Sequence, residues 1–204
     1  MHIPDGLLST PVIVLTYAVT IAGLLYSIKK LRDFPEDKIP LLGLFAAGIF
    51  AAQMVNFPII GGVSGHLLGA TLVAILLGPY AAVVVMSAVL LIQTLLFGDG
   101  GITAIGANIL NMGLIGAFVG YAIYTKLKNI NEVFAMGFAA WLSVLLGATM
   151  TAIEIGLSQS LPFAKILTLM ISYHAIIGIG EAILTILIVQ AVRMKLPEIE
   201  GVTA

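Results

Sequence analysis

Residues 66–97 read HLLGATLVAILLGPYAAVVVMSAVLLIQTLLF, with no acidic or basic side chain after His66 and one break signal, Gly78-Pro79. A helix needs roughly 20 apolar residues to cross about 30 Å of hydrocarbon, so length alone does not say whether this stretch is one span or two. Charge parity decides. With two spans joined at Gly78-Pro79, the loops at 29–38, 126–132 and 193–195 fall on one side and collect Lys29, Lys30, Arg32, Lys38, Lys126, Lys128, Arg193 and Lys195, leaving only Lys165 opposite. With one span the basic residues are divided, against the positive-inside tendency.

The same ruler gives the remaining spans. The first runs from about Ser9 to Ile28 and stops at Lys29-Lys30-Leu31-Arg32; the second runs from Pro40 to Asn56-Phe57-Pro58; the third is a short one from His66 to Leu77, and the fourth runs from Tyr80 to Phe97. A fifth follows GDGG and ends at Lys126 and Lys128, a sixth covers Val133 to Ile155 and a seventh Lys165 to Val192. The fold class predicted is an all-α membrane protein of seven transmembrane helices, N-terminus outside and C-terminus inside. Residues 1–204 form a single integral membrane domain, an external N-terminal segment 1–8 followed by the bundle 9–192.

Composition agrees. The chain is 60% apolar and 9% charged, against about 25% charged in soluble domains, too little to coat a water-facing globule. A net charge of −1 without a basic run excludes a nucleic-acid partner, and zero cysteines exclude disulfides and thiolate metal sites. The start, MHIPDGLLSTP, lacks the basic region and cleavage site of a removable signal peptide.

The loops at 1–8, 57–65 and 98–102 carry no Lys or Arg, and their only charges are Asp5 and Asp99. Gly61, Gly62, Gly65, Gly98, Gly100 and Gly101 let backbone pass close to backbone, as a lid over a small pocket or as tight interhelical turns. Two of the three histidines, His2 and His66, belong to this end. Taken singly, His2 reads as a tail residue and His66 as an interfacial cap. Together with the chain start they read differently. The Met1 α-amine and the His2 backbone nitrogen close a five-membered chelate ring, and that nitrogen with His2 Nδ1 closes a six-membered one. An imidazole from His66 completes a planar four-nitrogen set, which favours Ni(II) or Cu(II) over tetrahedral zinc. Segment 1–8 is thus expected to bind metal, with Met1, His2 and His66 as ligands.

Gln53, Asn56, Gln93, Asn108, Asn111, Glu154, His174 and Glu181 are the polar residues within or bordering spans, and most read as helix–helix hydrogen-bond partners. Depth places His174 well below the mouth where His2 and His66 gather, and favours structural roles for Glu154, His174 and Glu181. Asp99 and Asn108 flank the third external loop as candidate partners that orient an imidazole. Small residues four apart recur at Ala18 and Ala22, at Gly43, Ala47 and Ala51, and at Gly116 and Gly120, for internal packing or for docking a membrane partner. No GxxxxGK[ST] phosphate loop occurs, so energised transport needs a separate motor.

The segments MHIPDGLLS at the start, GGVSGHLLGA at 61–70, FGDGGITAIGANILNMG at 97–113 and HAIIGIGEAILT at 174–185 resemble the metal-specificity (S) component of group I energy-coupling factor transporters for nickel and cobalt. The likeness covers essentially the whole chain. It implies capture of Ni2+ or Co2+ from outside by the amine of Met1, the backbone nitrogen and imidazole of His2, and the imidazole of His66. It also implies a transmembrane T component and a pair of cytoplasmic ATPases as partners, and in some members a small auxiliary membrane subunit or a fused domain in its place, which the end of this chain leads us not to expect here. No enzyme activity and no resident cofactor are expected. The competing class is a stand-alone secondary transporter or channel with its site at the Gly78-Pro79 break, and copurification with an ATPase pair separates the two. A membrane enzyme has little support, since no nucleophile–base pair is suggested. Planar nitrogen ligation favours nickel, while cobalt members share the same opening motif.

Overall fold

The computed structural model describes residues 1–59 and 63–196, so Gly61 and Gly62 of the second external loop and the last residues of the chain lie outside the described residues. The chain is mostly helical: α1 Thr10–Lys30, α2 Ile39–Gln53, α3 Ala70–Leu77, α4 Pro79–Phe97, α5 Ile105–Leu127, α6 Glu132–Leu157 and α7 Phe163–Lys195. Five of these, α1 and α4 to α7, are long and apolar enough to cross a membrane.

The break at Gly78 follows from its backbone. It has φ +87° and ψ 159°, which a residue with a Cβ avoids, and Pro79 then starts α4 with its fixed φ. Tyr26 at the end of α1 meets Tyr80 at the start of α4 edge-on, 5.7 Å between ring centroids. Arg193 bonds both Glu132 (2.7 Å) and Tyr124 (3.0 Å), gathering the ends of α5 and α7 with the start of α6. These contacts set Lys29 and Lys30 near the start of α4, and Lys126, Lys128, Arg193 and Lys195 near the start of α6.

The third element departs from the expected helix over His66–Leu77. Residues 63–69 are not helical: Ser64–Gly65 pairs antiparallel to Phe57–Pro58, and the helix begins only at Ala70. Gly69, at φ +82°, makes the corner. Non-helical backbone at this depth requires internal partners. The Glu181 carboxylate of α7 accepts from Leu68 N (2.8 Å) and Gly69 N (2.6 Å), and Gln53 Nε2 donates to Leu68 O (2.7 Å).

Packing surfaces are inverted relative to a soluble protein. α1 buries Thr16, Thr20 and Ser27 and exposes Val14, Leu15, Val19 and Leu25; Thr20 Oγ1 donates to Gly106 O at 2.6 Å. Small polar residues inside and large apolar ones outside suit a lipid solvent, where close approach and hydrogen bonds hold helices together. The three small-residue stripes divide. Gly116 and Gly120 pack against Ala70 and Thr71 of α3, whereas Gly43, Ala47, Ala51, Ala18 and Ala22 are exposed. Gly116→Ala, whose Cβ would lie 2.8 Å from that of Ala70, is expected to cost about 1–3 kcal/mol, read as a lower unfolding midpoint in detergent. Gly43→Ala, with nothing within 4 Å, leaves the midpoint unchanged.

Candidate metal centre

The first residues do not lie on an external surface. Met1, His2 and Ile3 are buried at 0%, 2% and 0% exposure, threaded between the helices. Asn108 at the start of α5 grips the Ile3 backbone on both sides, accepting from Ile3 N (2.8 Å) and donating to Ile3 O (3.2 Å), which also accepts from Gly101 N (2.9 Å). Asp5 accepts from Thr103 N (2.7 Å), Ile102 N (3.1 Å) and Thr103 Oγ1 (2.5 Å). Gly101 is obligatory here, because any Cβ would fall on the Pro4–Asp5 backbone. The glycine-rich loop therefore acts as a latch on an inserted N-terminus.

At the tip, Met1 N lies 2.5 Å from His66 Nε2. Two nitrogens held at right angles on one ion, each at roughly 2.0 Å, are about 2.8 Å apart, so the pair is spaced as adjacent ligands of one ion would be. The His2 and His66 rings stack with centroids 4.5 Å apart. Each imidazole has its tautomer set by an outer partner. His66 Nδ1–H donates to Leu67 O at 2.7 Å, leaving Nε2 with its lone pair. His2 Nε2–H donates to Gln93 Oε1 at 3.1 Å, leaving Nδ1 bare. Ser64 Oγ, 3.3 Å from His2 N and 3.2 Å from Nδ1, closes the bite by accepting from the first and donating to the second. Asp99 Oδ1 stands 3.2 Å from Nδ1, with Asn56 Nδ2 donating to Oδ2 at 2.9 Å. A carboxylate facing a bare nitrogen is favourable when a cation lies close to both.

Burial makes these nitrogens neutral. It lowers the Met1 amine to about 4, opposed by Asp99, and lowers His2 to about 3, with the Met1 amine adding to the effect and Gln93 opposing it. Among the described residues no three His, Cys, Asp or Glu side chains form a metal-holding group. An ion held here by nitrogen must therefore use main-chain donors with the two imidazoles.

Met1, His2 and His66 are thus brought together, and Asp99 joins them. Asn108, expected beside an imidazole, holds the Ile3 backbone instead. Glu181 ties down the strand leading from His66, and Glu154 Oε2 accepts from Asn111 Nδ2 at 2.6 Å away from the tip. His174 is not below the site but level with it. Two partners escaped sequence reasoning. Ser64 had a readable signal, since it lies two residues from His66. Gln93 had none, because it opens the π-wound last turn of α4, Gln93–Phe97, and a wider turn of this kind re-aims its side chain.

Comparison with known proteins follows the geometry. Residues 2–199 match the family described as cobalt uptake substrate-specific transmembrane region. A putative fused nickel transport protein of Archaeoglobus fulgidus is 43% identical over 98% of this chain and 68% of its own length. A cobalt transport protein of Clostridium tetani is 32% identical over 94% of this chain and 84% of its own. A crystal structure of a truncated transition metal transporter superposes with TM-score 0.90 at 35% identity, covering 96% of this chain and 99% of that one.

Proposed function

Because the chain belongs to the cobalt uptake substrate-specific transmembrane region family and is a multi-pass membrane protein, we propose that it is the substrate-binding subunit of an ATP-driven nickel uptake transporter. It captures Ni2+ on the external face through a planar set of four nitrogens: the Met1 amine, the His2 amide nitrogen, His2 Nδ1 and His66 Nε2. The observation that carries this reading is the buried contact of Met1 N with His66 Nε2 at 2.5 Å, in a site where both imidazoles turn bare nitrogens inward. The ion displaces the His2 amide proton, Ser64 having held that N–H in its absence. All seven helices cross, with the third crossing made of the non-helical residues 63–69 and α3, and with the basic end inside.

Nickel is favoured by the donor set, since a planar ligand field with an amide nitrogen stabilises a low-spin d8 ion. Relatives named for nickel are 43%, 42% and 36% identical, and those named for cobalt are 32%. Cobalt is the second reading, favoured by the family description and by those cobalt-named relatives. Metal analysis of the purified protein, with calorimetry against Ni2+ and Co2+, tests the proposal. Tighter Ni2+ binding with a diamagnetic complex supports nickel, and preferential Co2+ retention supports the second reading.

The pH dependence has a definite sign. The amine and the His2 imidazole are bases whose seated pKa lies below the free values of 8.0 and 6.5. The seated form therefore binds fewer protons than the free chain. Seating is fully favoured above about pH 8 and is lost progressively as pH falls toward the seated values. Displacing the amide proton adds a dependence of the same sign. Ni2+ affinity is expected to rise from about pH 5 to 8 with proton release on binding, measured by calorimetry in buffers of different ionisation enthalpy. An affinity flat across that range contradicts amine, amide and imidazole donors together.

A further inference from the structure

The third histidine stands unused beside this site. His174 is 0% exposed, its Nδ1–H donates to Met170 O at 2.8 Å, and so Nε2 bears the lone pair; among the described residues that nitrogen has no hydrogen-bond partner. A buried acceptor left unpaired is destabilising, a cost that an apolar residue of similar volume avoids.

Its position is fixed by packing. α6 and α7 run antiparallel, with Gly156 against Phe163, Trp141 against Gly178 and Gly137 against Ile186. From the Trp141–Gly178 contact, six residues along α6 lead to Gly147, where the Met1 thioether lies, and four residues along α7 lead to His174. At 1.5 Å per residue these are about 9 and 6 Å, so Met1 and His174 share a depth to within one turn. Laterally, the α7 residues around His174 pack on the non-helical segments that carry His66. Tyr173 lies tilted against Phe57 with ring centroids 6.3 Å apart, Ile177 lies against Gly65, and Glu181 bonds Leu68 N and Gly69 N.

We propose that His174 Nε2 is the exchange ligand of the centre, a transient fifth donor that adds to the open face of the four-nitrogen plane as the ion is loaded or released. This rests on the reading of Met1, His2 and His66 as the resting ligands. A planar d8 ion exchanges ligands associatively, since the vacant axial direction admits a new donor before an old one leaves. In release, a dative Ni–N bond to His174 Nε2 forms, the bond to Met1 N or His66 Nε2 breaks, and the amide nitrogen regains a proton from solvent. No oxidation state changes. An enclosed site offers the ion little water, so the entering donor comes from the protein. The other unpartnered buried atoms are amide or carboxyl oxygens and the Gln93 amide nitrogen, which has no free lone pair. His174 Nε2 is the one nitrogen among them, within the described residues, that can add to the ion.

The test uses the full chain in detergent, with Ni2+ and EDTA as the probes. Wild type, His174→Phe, which fills the volume without a donor, and His174→Ala, which leaves a space, are compared by calorimetry for Kd and by stopped-flow absorption for loading and release. Both variants are expected to keep Kd within about threefold while both rates fall roughly tenfold or more, and free imidazole is expected to restore the rates of His174→Ala alone. Rates equal to wild type in both variants overturn the proposal, and so does a Kd that weakens in step with the loss of the imidazole, which makes His174 a resting ligand. Should the Phe variant not fold, imidazole rescue of the Ala variant carries the decision. Failure of the underlying reading is distinguishable, because His66→Ala would then bind Ni2+ like wild type whatever His174 does.

Discussion

Acetylation of the Met1 α-amine is expected to weaken Ni2+ binding by about a hundredfold or more. A four-donor site worth about 10–16 kcal/mol assigns about 3 kcal/mol to each donor, which is about two powers of ten in Kd. Acetylation removes one donor and keeps the ring sizes, and His66→Ala removes another while leaving the N-terminal latch at Asp5, Asn108 and Gly101 untouched. Both are expected to fail in calorimetry while unfolding near the wild-type temperature. An acetylated protein that binds Ni2+ within about threefold of wild type would show that the amine is no ligand.

Vesicles containing only this chain are expected to accumulate no Ni2+ on addition of ATP, while vesicles that also hold a T component and an ATPase pair do. The division follows from the proposed metal site together with a sequence that has no phosphate loop. Docking is expected to involve Gly43, Ala47 and Ala51, since all three face outward from α2. Ala47→Leu should therefore impair assembly and transport with Ni2+ binding retained. Loss of binding as well would mean that this face matters inside the subunit, and sustained ATP-dependent uptake by the lone chain would remove the need for partners altogether.

Much of this was legible beforehand because it depends on chain position and composition. A histidine at position 2 beside a free amine is a chelate whatever the fold, and in a chain without cysteine only a handful of side chains offer nitrogen. The Gly78-Pro79 break was readable from the left-handed backbone that only glycine accepts and the proline that follows. What escaped depended on distant partners. His66 to Gly69 carry the hydropathy of a helix, but Glu181 satisfies their backbone in a non-helical form, and no local signal encodes that bond. His174 was placed too deep because counting along α7 gives its distance from the loop, whereas the depth of the site is set by how far the first residues push inward.

The carboxylate of Glu181 closes on amides 113 and 112 residues earlier in the chain. That separation orders the birth of the protein. Until the last helix is made, the amides of Leu68 and Gly69 lack the carboxylate that satisfies them in the folded protein. The N-terminus can seat only after the segment bearing His66 is in place, so the first residues synthesised are the last to settle. A chain that lacks α7 therefore leaves Met1 and His2 without the fixed partner that His66 supplies.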